Sequence, residues 1–128
     1  MKKLTNAEEE VMQILWELGQ GFVKDVIDKM PDPKPPYNTV STVIRVLEKK
    51  EFISHRQYGN TYEYFPIIAR DEYAKHHFNG FLADYFNNSF PKMAAFFARE
   101  NNLTMRELEE IMKLTEAELK KSNSNDHE

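Results

Sequence analysis

Four of the six residues from 31 to 36 are proline: Pro31, Pro33, Pro35 and Pro36. Proline lacks a backbone N–H, fixes its own φ and disfavours helical backbone in the residue before it, so neither a helix nor a central strand runs through this segment. It is a rigid, extended linker, and the patterns on either side of it must be separate elements. Upstream, Val23, Val26, Ile27 and Met30 fall at i, i+3, i+4 and i+7, which predicts a short helix that the prolines terminate. Before that, Val11, Ile14, Leu15 and Leu18 recur at helical spacing with Trp16 on the flank. Thr5 with Glu8 has the form of a capping box at the start of this first helix, and Gly19 and Gly21 suit its end. Downstream, Val40, Val43, Ile44 and Leu47 repeat the spacing and predict a third helix from about Asn38 to Lys50.

At about 100° per residue, Asn38, Thr42, Arg45 and Lys49 fall within an arc of about 60° on the third helix, directly opposite its apolar face, with Ser41 at the edge. A hairpin follows. Phe52 to Tyr58 and Thr61 to Pro66 are rich in aromatic and β-branched residues, and Gly59-Asn60 between them is a two-residue turn. Two strands alone are marginal, so they must pack on the helices, and Phe52, Ile53, Tyr62, Tyr64 and Phe65 offer the surface for it.

After Pro66 the texture changes. Asp71 is a candidate cap for a helix carrying Tyr73, His77, Phe78, Phe81, Leu82, Tyr85 and Phe86, broken at Asn87, Asn88 and Ser89. A short helix from about Pro91 carries Met93, Phe96 and Phe97 and stops at Asn101 and Asn102. Thr104 with Glu107 opens a last helix with Leu108, Ile111, Met112 and Leu119, and from Ser122 to Glu128 the chain is polar and expected to fray. The expected division is a domain over 1–70, a helical region over 71–121 and a disordered tail over 122–128. A tail of about fifty residues with this many large apolar groups is too small to bury them alone, so burial against a second copy is expected. The residues predicted to do this are Tyr73, Phe78, Phe81, Leu82, Tyr85, Phe86, Phe96, Phe97, Leu108, Ile111 and Met112.

Composition removes several alternatives. With no cysteine there is no disulfide framework, thiolate metal site or cysteine nucleophile. The N-terminus has two lysines but no apolar run behind them, and no stretch approaches the roughly 18 apolar residues of a membrane span. A cytoplasmic protein without membrane insertion is expected. His55, His76, His77 and His127 include no i, i+4 pair that would grip a metal, and neither a nucleophile elbow nor a phosphate-cradling glycine loop is present, so neither an enzyme nor a cofactor-binding protein is expected. The net charge is −4, but from Lys34 to Arg56 five basic residues face two acidic ones, a local excess that suits phosphate binding better than the global sign does.

Helix, helix, polar-faced helix and hairpin in about 65 residues is the order of a winged helix-turn-helix. The fold class predicted is mainly α with a small β-hairpin wing, joined to a C-terminal helical dimerisation region. The outer face of the third helix has the chemistry of a major-groove reader. Arg45 suits guanine, Asn38 suits adenine, and Thr42, with Thr39 and Ser41, suits base edges or phosphates. Lys49, Lys50 and Arg56 would hold phosphates, while His55 and Asn60 lie on or near the wing. The competing reading is a winged helix that binds only protein, for which an apolar outer face on the third helix would be the mark.

The sequence also resembles the penicillinase repressor family, which includes the methicillin-resistance repressors and copper-responsive repressors of bacteria. The resemblance rests on Leu4-Thr5, Ala7-Glu8, Glu10-Val11-Met12 and Leu15-Trp16. It continues through Asp25-Val26, Thr39-Val40 with Thr42, Leu47-Glu48 with Lys50, and Gly59 with Tyr64 and Pro66, and on into Phe78 to Phe86, Leu103-Thr104 and Glu107-Leu108. It implies a homodimer that represses an antibiotic-response operon from a palindromic double-stranded operator. It also implies, for the penicillinase type, a membrane-bound sensor protease that triggers cleavage in the C-terminal region. This chain departs from the pattern at four places. Arg45 is displaced by one residue from the usual arginine position, Glu51 stands where relatives carry glycine, Asn60 replaces a basic wing residue, and Phe96-Phe97 stands at the bond that in relatives follows an asparagine. The cysteine-rich copper motif is absent.

Overall fold

The computed structural model describes residues 1–126, with side chains through residue 123. Two compact units are present, Met1–Asn79 and a second from Gly80 onward. The border therefore falls nine residues beyond the expected one.

In the first unit, α1 (Asn6–Leu18) opens at Thr5, whose hydroxyl accepts from the Glu8 N–H at 3.2 Å while the Glu8 carboxylate accepts from the Thr5 N–H at 3.0 Å. Gly19, at φ 82°, closes it. α2 (Val23–Asp28) is short, and its last carbonyls are held by Lys34, which donates to Asp28 O at 3.0 Å and Met30 O at 2.6 Å. This use of Lys34 differs from the expectation that it adds to a phosphate-binding patch. α3 (Tyr37–Lys49) begins directly after the last proline. Val40, Ile44 and Leu47 are buried and Val43 packs beside them, as the apolar spacing predicts.

The end of α3 is closed in a Schellman motif. Glu51 takes a left-handed φ of 67°. Its N–H donates to Glu48 O at 3.0 Å and the Phe52 N–H donates to Leu47 O at 3.1 Å, with both Leu47 and Phe52 fully buried. The chain then enters the hairpin of β1 (Ile53–Tyr58) and β2 (Thr61–Pro66), antiparallel from Ile53↔Pro66 to Tyr58↔Thr61. Gly59 has φ 59° and Asn60 does not share the positive sign, as in a two-residue turn with glycine first. Gly21 pairs with Tyr64 by two bonds of 2.8 Å, which fastens the hairpin to the α1–α2 turn. Ile53 and Tyr64 enter the core as expected, but Tyr62 stays 43% exposed, with its ring 4.3 Å from the His55 imidazole.

α4 (Arg70–Phe86) starts one residue before the anticipated cap at Asp71, which sits in its first turn. Its Tyr73 belongs to the first unit's core, with its ring 5.9 Å from Trp16 and 5.7 Å from Phe52 and its hydroxyl 3.2 Å from Glu9. Trp16 donates to Ile68 O at 2.8 Å. In the second unit, Asn87 and Asn88 take left-handed backbone, α5 (Phe90–Glu100) is capped by Ser89, and α6 (Met105–Asp126) by Thr104, which accepts from the Glu107 N–H at 3.1 Å. α6 runs on through Asp126, past the point where fraying was expected; the rest of that tail, with His127, lies outside the described residues.

A glutamate at φ 67° pays the Cβ penalty of left-handed backbone that glycine avoids. Glu51→Gly is expected to raise unfolding stability by about 1 kcal/mol, measured by urea denaturation. An unchanged or lower stability would contradict the assignment of strain to this turn.

Candidate nucleic-acid interface

The outer face of α3 is built as the helical spacing requires. Asn38, Thr39, Thr42, Arg45 and Lys49 are exposed, Ser41 is half-buried, and the opposite face is the core stripe of Val40, Ile44 and Leu47. The Thr42 hydroxyl donates to Asn38 O at 2.8 Å, so what it presents outward is mainly its methyl group and one acceptor. Arg45 uses only Nε, in a long 3.4 Å bond to Ser41 O. Among the described residues its two terminal nitrogens have no partner, and neither has the Lys49 ammonium. Lys49 also lies in the last turn of α3, where the helix dipole favours a cation.

Other residues of the predicted site are committed elsewhere. The Lys50 ammonium donates to both carboxylate oxygens of Glu8 at 2.7 Å and lies 3.4 Å from Lys3 O. His55 Nδ1 is bonded to the Glu48 carboxylate, and the imidazole lies 4.3 Å from the Tyr62 ring. Arg56 sits over the Phe65 ring at 4.9 Å but remains exposed, and Asn60 is exposed at the hairpin tip. The local basic excess read from sequence is thus partly spent inside the protein. The cations left outward are Arg45 and Lys49 on the helix and Arg56 on the wing.

Two residues that sequence reading missed border the same surface. Tyr37, the first residue of α3, is 58% exposed, and Tyr62 stands across from it on the hairpin. Together with Phe22, Tyr64, Ser41 and Arg45 they line a cleft of about 590 Å³ between α2, α3 and the wing. The signal for Tyr37 was present in the sequence: Tyr37, Ser41 and Arg45 are spaced i, i+4, i+8 and so share one stripe. Burial, and next the charge of Glu48, push the Tyr64 phenol up, so Tyr64 stays neutral at pH 7.

The residues predicted for dimerisation divide. Tyr73 is core in the first unit, a correction to its expected place on an intersubunit surface; its ring completes the pocket formed by Trp16 and Phe52. Phe78 is partly exposed near that unit's end. In the second unit, Phe81, Phe86, Phe96 and Phe97 form a chain of ring contacts, with Phe81–Phe86 at 5.8 Å, Phe86–Phe96 at 5.6 Å and Phe96–Phe97 at 5.6 Å. Tyr85, Leu108, Ile111 and Met112 are exposed, and Leu82 is half-buried. Phe90, Met105, Leu114 and Leu119, outside the predicted set, are also exposed apolar groups of this unit.

The short α2, the polar-faced α3 and the two-stranded wing define a winged helix-turn-helix protein. The sequence profile described as "Penicillinase repressor" matches residues 4–117, and the chain belongs to that family. It is 27% identical over 124 residues to the penicillinase repressor of Bacillus licheniformis, covering 91% of this chain and 94% of that one. It is 23% identical over 110 residues to the methicillin resistance regulatory protein MecI of Staphylococcus aureus strain N315, covering 85% and 89%. A solution structure of the DNA-binding domain of the repressor BlaI is 28% identical, covers 57% of this chain and 94% of that one, and superposes with a TM-score of 0.49. No described helix is long and apolar enough to cross a membrane.

The Glu8–Lys50 pair yields a stability prediction. Burial raises the Glu8 carboxyl, but the bonds from Lys50 and from Thr5 outweigh it, and the net pKa is lowered. A depressed folded value means the contribution is complete above the usual glutamate value of 4.5 and is lost as pH falls through the lower, folded value. Lys50→Ala strands a buried carboxylate and should cost about 3 kcal/mol at pH 7, with the deficit shrinking toward pH 3. Denaturant titrations of both chains across that range check it; a deficit independent of pH would refute the assignment.

Proposed function

We propose that the protein is a sequence-specific transcriptional repressor that binds a palindromic operator of an antibiotic-response operon as a homodimer. The observation that carries the reading is the α3 surface. Four polar or basic side chains, Asn38, Thr42, Arg45 and Lys49, face outward along a helix fixed from behind by Val40, Ile44 and Leu47, with the wing beside it. An α-helix fits the major groove, and this set offers a bidentate donor for guanine, an amide for adenine and a methyl for thymine. Membership of a family named for repression, and relatives named for penicillinase and methicillin resistance, support the operon type. The protein-only reading called for an apolar outer face on α3, and the side chains there are mainly polar.

The dimer is supported by the second unit's poor burial. From Gly80 on, Met93 is the one buried apolar residue among the described residues, while α6 buries none. A helix with Leu108, Ile111, Met112, Leu114 and Leu119 exposed lacks a partner surface, and a second copy supplies it with the two-fold symmetry a palindrome requires. Induction then acts by undoing the dimer, because linking two half-site readers strengthens binding by about 10²–10⁴-fold. A sensor protease cutting in this unit would do so, though not by the family's asparagine rule, since Phe96-Phe97 occupies that place.

Gel shifts at several salt concentrations on the promoter upstream of the protein's own coding sequence test the DNA reading. Arg45→Ala should weaken operator binding by about 1–3 kcal/mol with less effect on random DNA. Lys49→Ala should weaken both alike and lower the salt slope by about one phosphate's worth. Operator binding by Arg45→Ala equal to the parent would reject α3's outer face as the reader. Sedimentation at micromolar concentration should give a dimer mass for the full chain and a monomer mass for Ile111→Asp; a monomeric parent would reject the dimer.

A further inference from the structure

The cleft between α2, α3 and the wing is only partly explained by groove reading. At about 100° per residue, the Tyr37–Ser41–Arg45 stripe is turned by about 70° from the centre of the outer face, and only Arg45 belongs to both. The cleft is therefore a flank site that shares one residue with the DNA-facing surface. Its volume, about 590 Å³, is in the range of small-molecule sites. Its walls are rings: Phe22 from the start of α2, Tyr37 from α3, and Tyr62 and Tyr64 from β2. Tyr64 is buried and Tyr62 half-exposed, with their rings 6.4 Å apart and nearly perpendicular. Such walls favour a flat aromatic body between them.

The charged groups decide the sign of the occupant. Lys24 and Arg45 line the cleft as cations and Asp25 as its one anion. The Asp25 carboxylate is already engaged, accepting the Phe22 N–H at 2.9 Å, and it holds the turn into α2. Arg45 keeps its two terminal nitrogens unpaired beside this space, and that planar fork matches a carboxylate in a bidentate pair. Aromatic walls, an uncommitted guanidinium and a second cation call for a planar aromatic carboxylate.

We propose that this cleft binds an aryl carboxylate, and that its occupancy withdraws Arg45 from DNA. A carboxylate bonded to the guanidinium fork removes the donors a guanine would need, and the bound ring fills the space between α3 and the wing. Ligand and operator then exclude one another through a single shared side chain. The DNA half of this inference rests on the repressor reading above; the binding half does not.

The test uses the full-length protein, with 2-naphthoate as probe and 2-naphthamide as its uncharged counterpart. Calorimetry without DNA should find one naphthoate site per chain, with the amide about tenfold weaker or worse. Tyr62→Ala and Arg45→Ala should each weaken naphthoate about tenfold while leaving the circular dichroism spectrum unchanged; both side chains are exposed, so neither change should unfold the domain. No heat at millimolar naphthoate, equal binding of acid and amide, or indifference to both substitutions would overturn the site. In gel shifts, naphthoate should then raise the operator Kd of the parent. Naphthoate binding with the operator Kd unmoved overturns the exclusion of DNA. Naphthoate binding by a protein that holds no DNA at all leaves the site standing and overturns the repressor reading instead.

Discussion

The orientation of α3 relative to the wing is set at Phe52. Its N–H closes the end of α3 on Leu47 O, and its carbonyl accepts from Ile67 at 2.9 Å and Ile68 at 3.3 Å beyond the hairpin. Its ring is fully buried, 5.7 Å from Tyr73 of α4. One residue thus joins the end of the reading helix, both strands' outer ends and the start of α4. The left-handed turn at Glu51 is what aims Phe52 inward. The second fixed point is Gly21, which pairs with Tyr64 on β2 and anchors the strand from the other side. Between these two points the wing has little freedom to change its angle to α3, and a cleft of defined shape follows.

Electrostatics in this unit is an allocation of few cations among many uses. Lys34 terminates α2, Lys50 neutralises a buried glutamate, and Glu48 occupies His55. Each is an internal use that raises rigidity where the chain needs it. What remains outward near α3 is sparse, so nonspecific attraction to phosphate should be modest for a net −4 protein and a correspondingly large share of the recognition must come from shape and base contacts. In the proposed operator complex, that places unusual weight on Arg45. In the proposed mode of binding, Arg45 is also an efficient point of control, because few other contacts would compensate for its loss.

The helices and the hairpin were legible in the sequence because their signals are local. Apolar spacing in α1, α2 and α3, the Thr5–Glu8 cap, the proline stop and the Gly59 turn each span fewer than ten residues. The outer face of α3 followed from the same periodicity. What was not legible depended on distant partners. Nothing near Lys50 announces that its ammonium meets Glu8, forty-two residues away, so it read as a phosphate ligand. Tyr73 read as part of the dimer surface because composition counts rings without saying which core they join; Trp16 and Phe52 claim it. Tyr37 falls between the proline linker of 31–36 and the helix expected from about Asn38, yet Pro36 is the N-cap and Tyr37 begins the helix.

The second unit obeys a different logic from the first. Its helices are well capped, at Ser89 and Thr104, and locally self-consistent, so backbone structure does not demand a partner. Its side chains do. Apolar groups on α6 contribute little to stability while they face water, since the gain from burial scales with the area removed from it. In the proposed dimer that gain is realised only on association, so the packing of this unit and the pairing of two chains become one equilibrium and depend on protein concentration. The winged helix, by contrast, has its own core. In the proposed repressor, operator occupancy is then regulated through two terms: the dimer equilibrium, which sets how many half-sites one molecule can hold, and the state of Arg45, which sets how well each half-site is read.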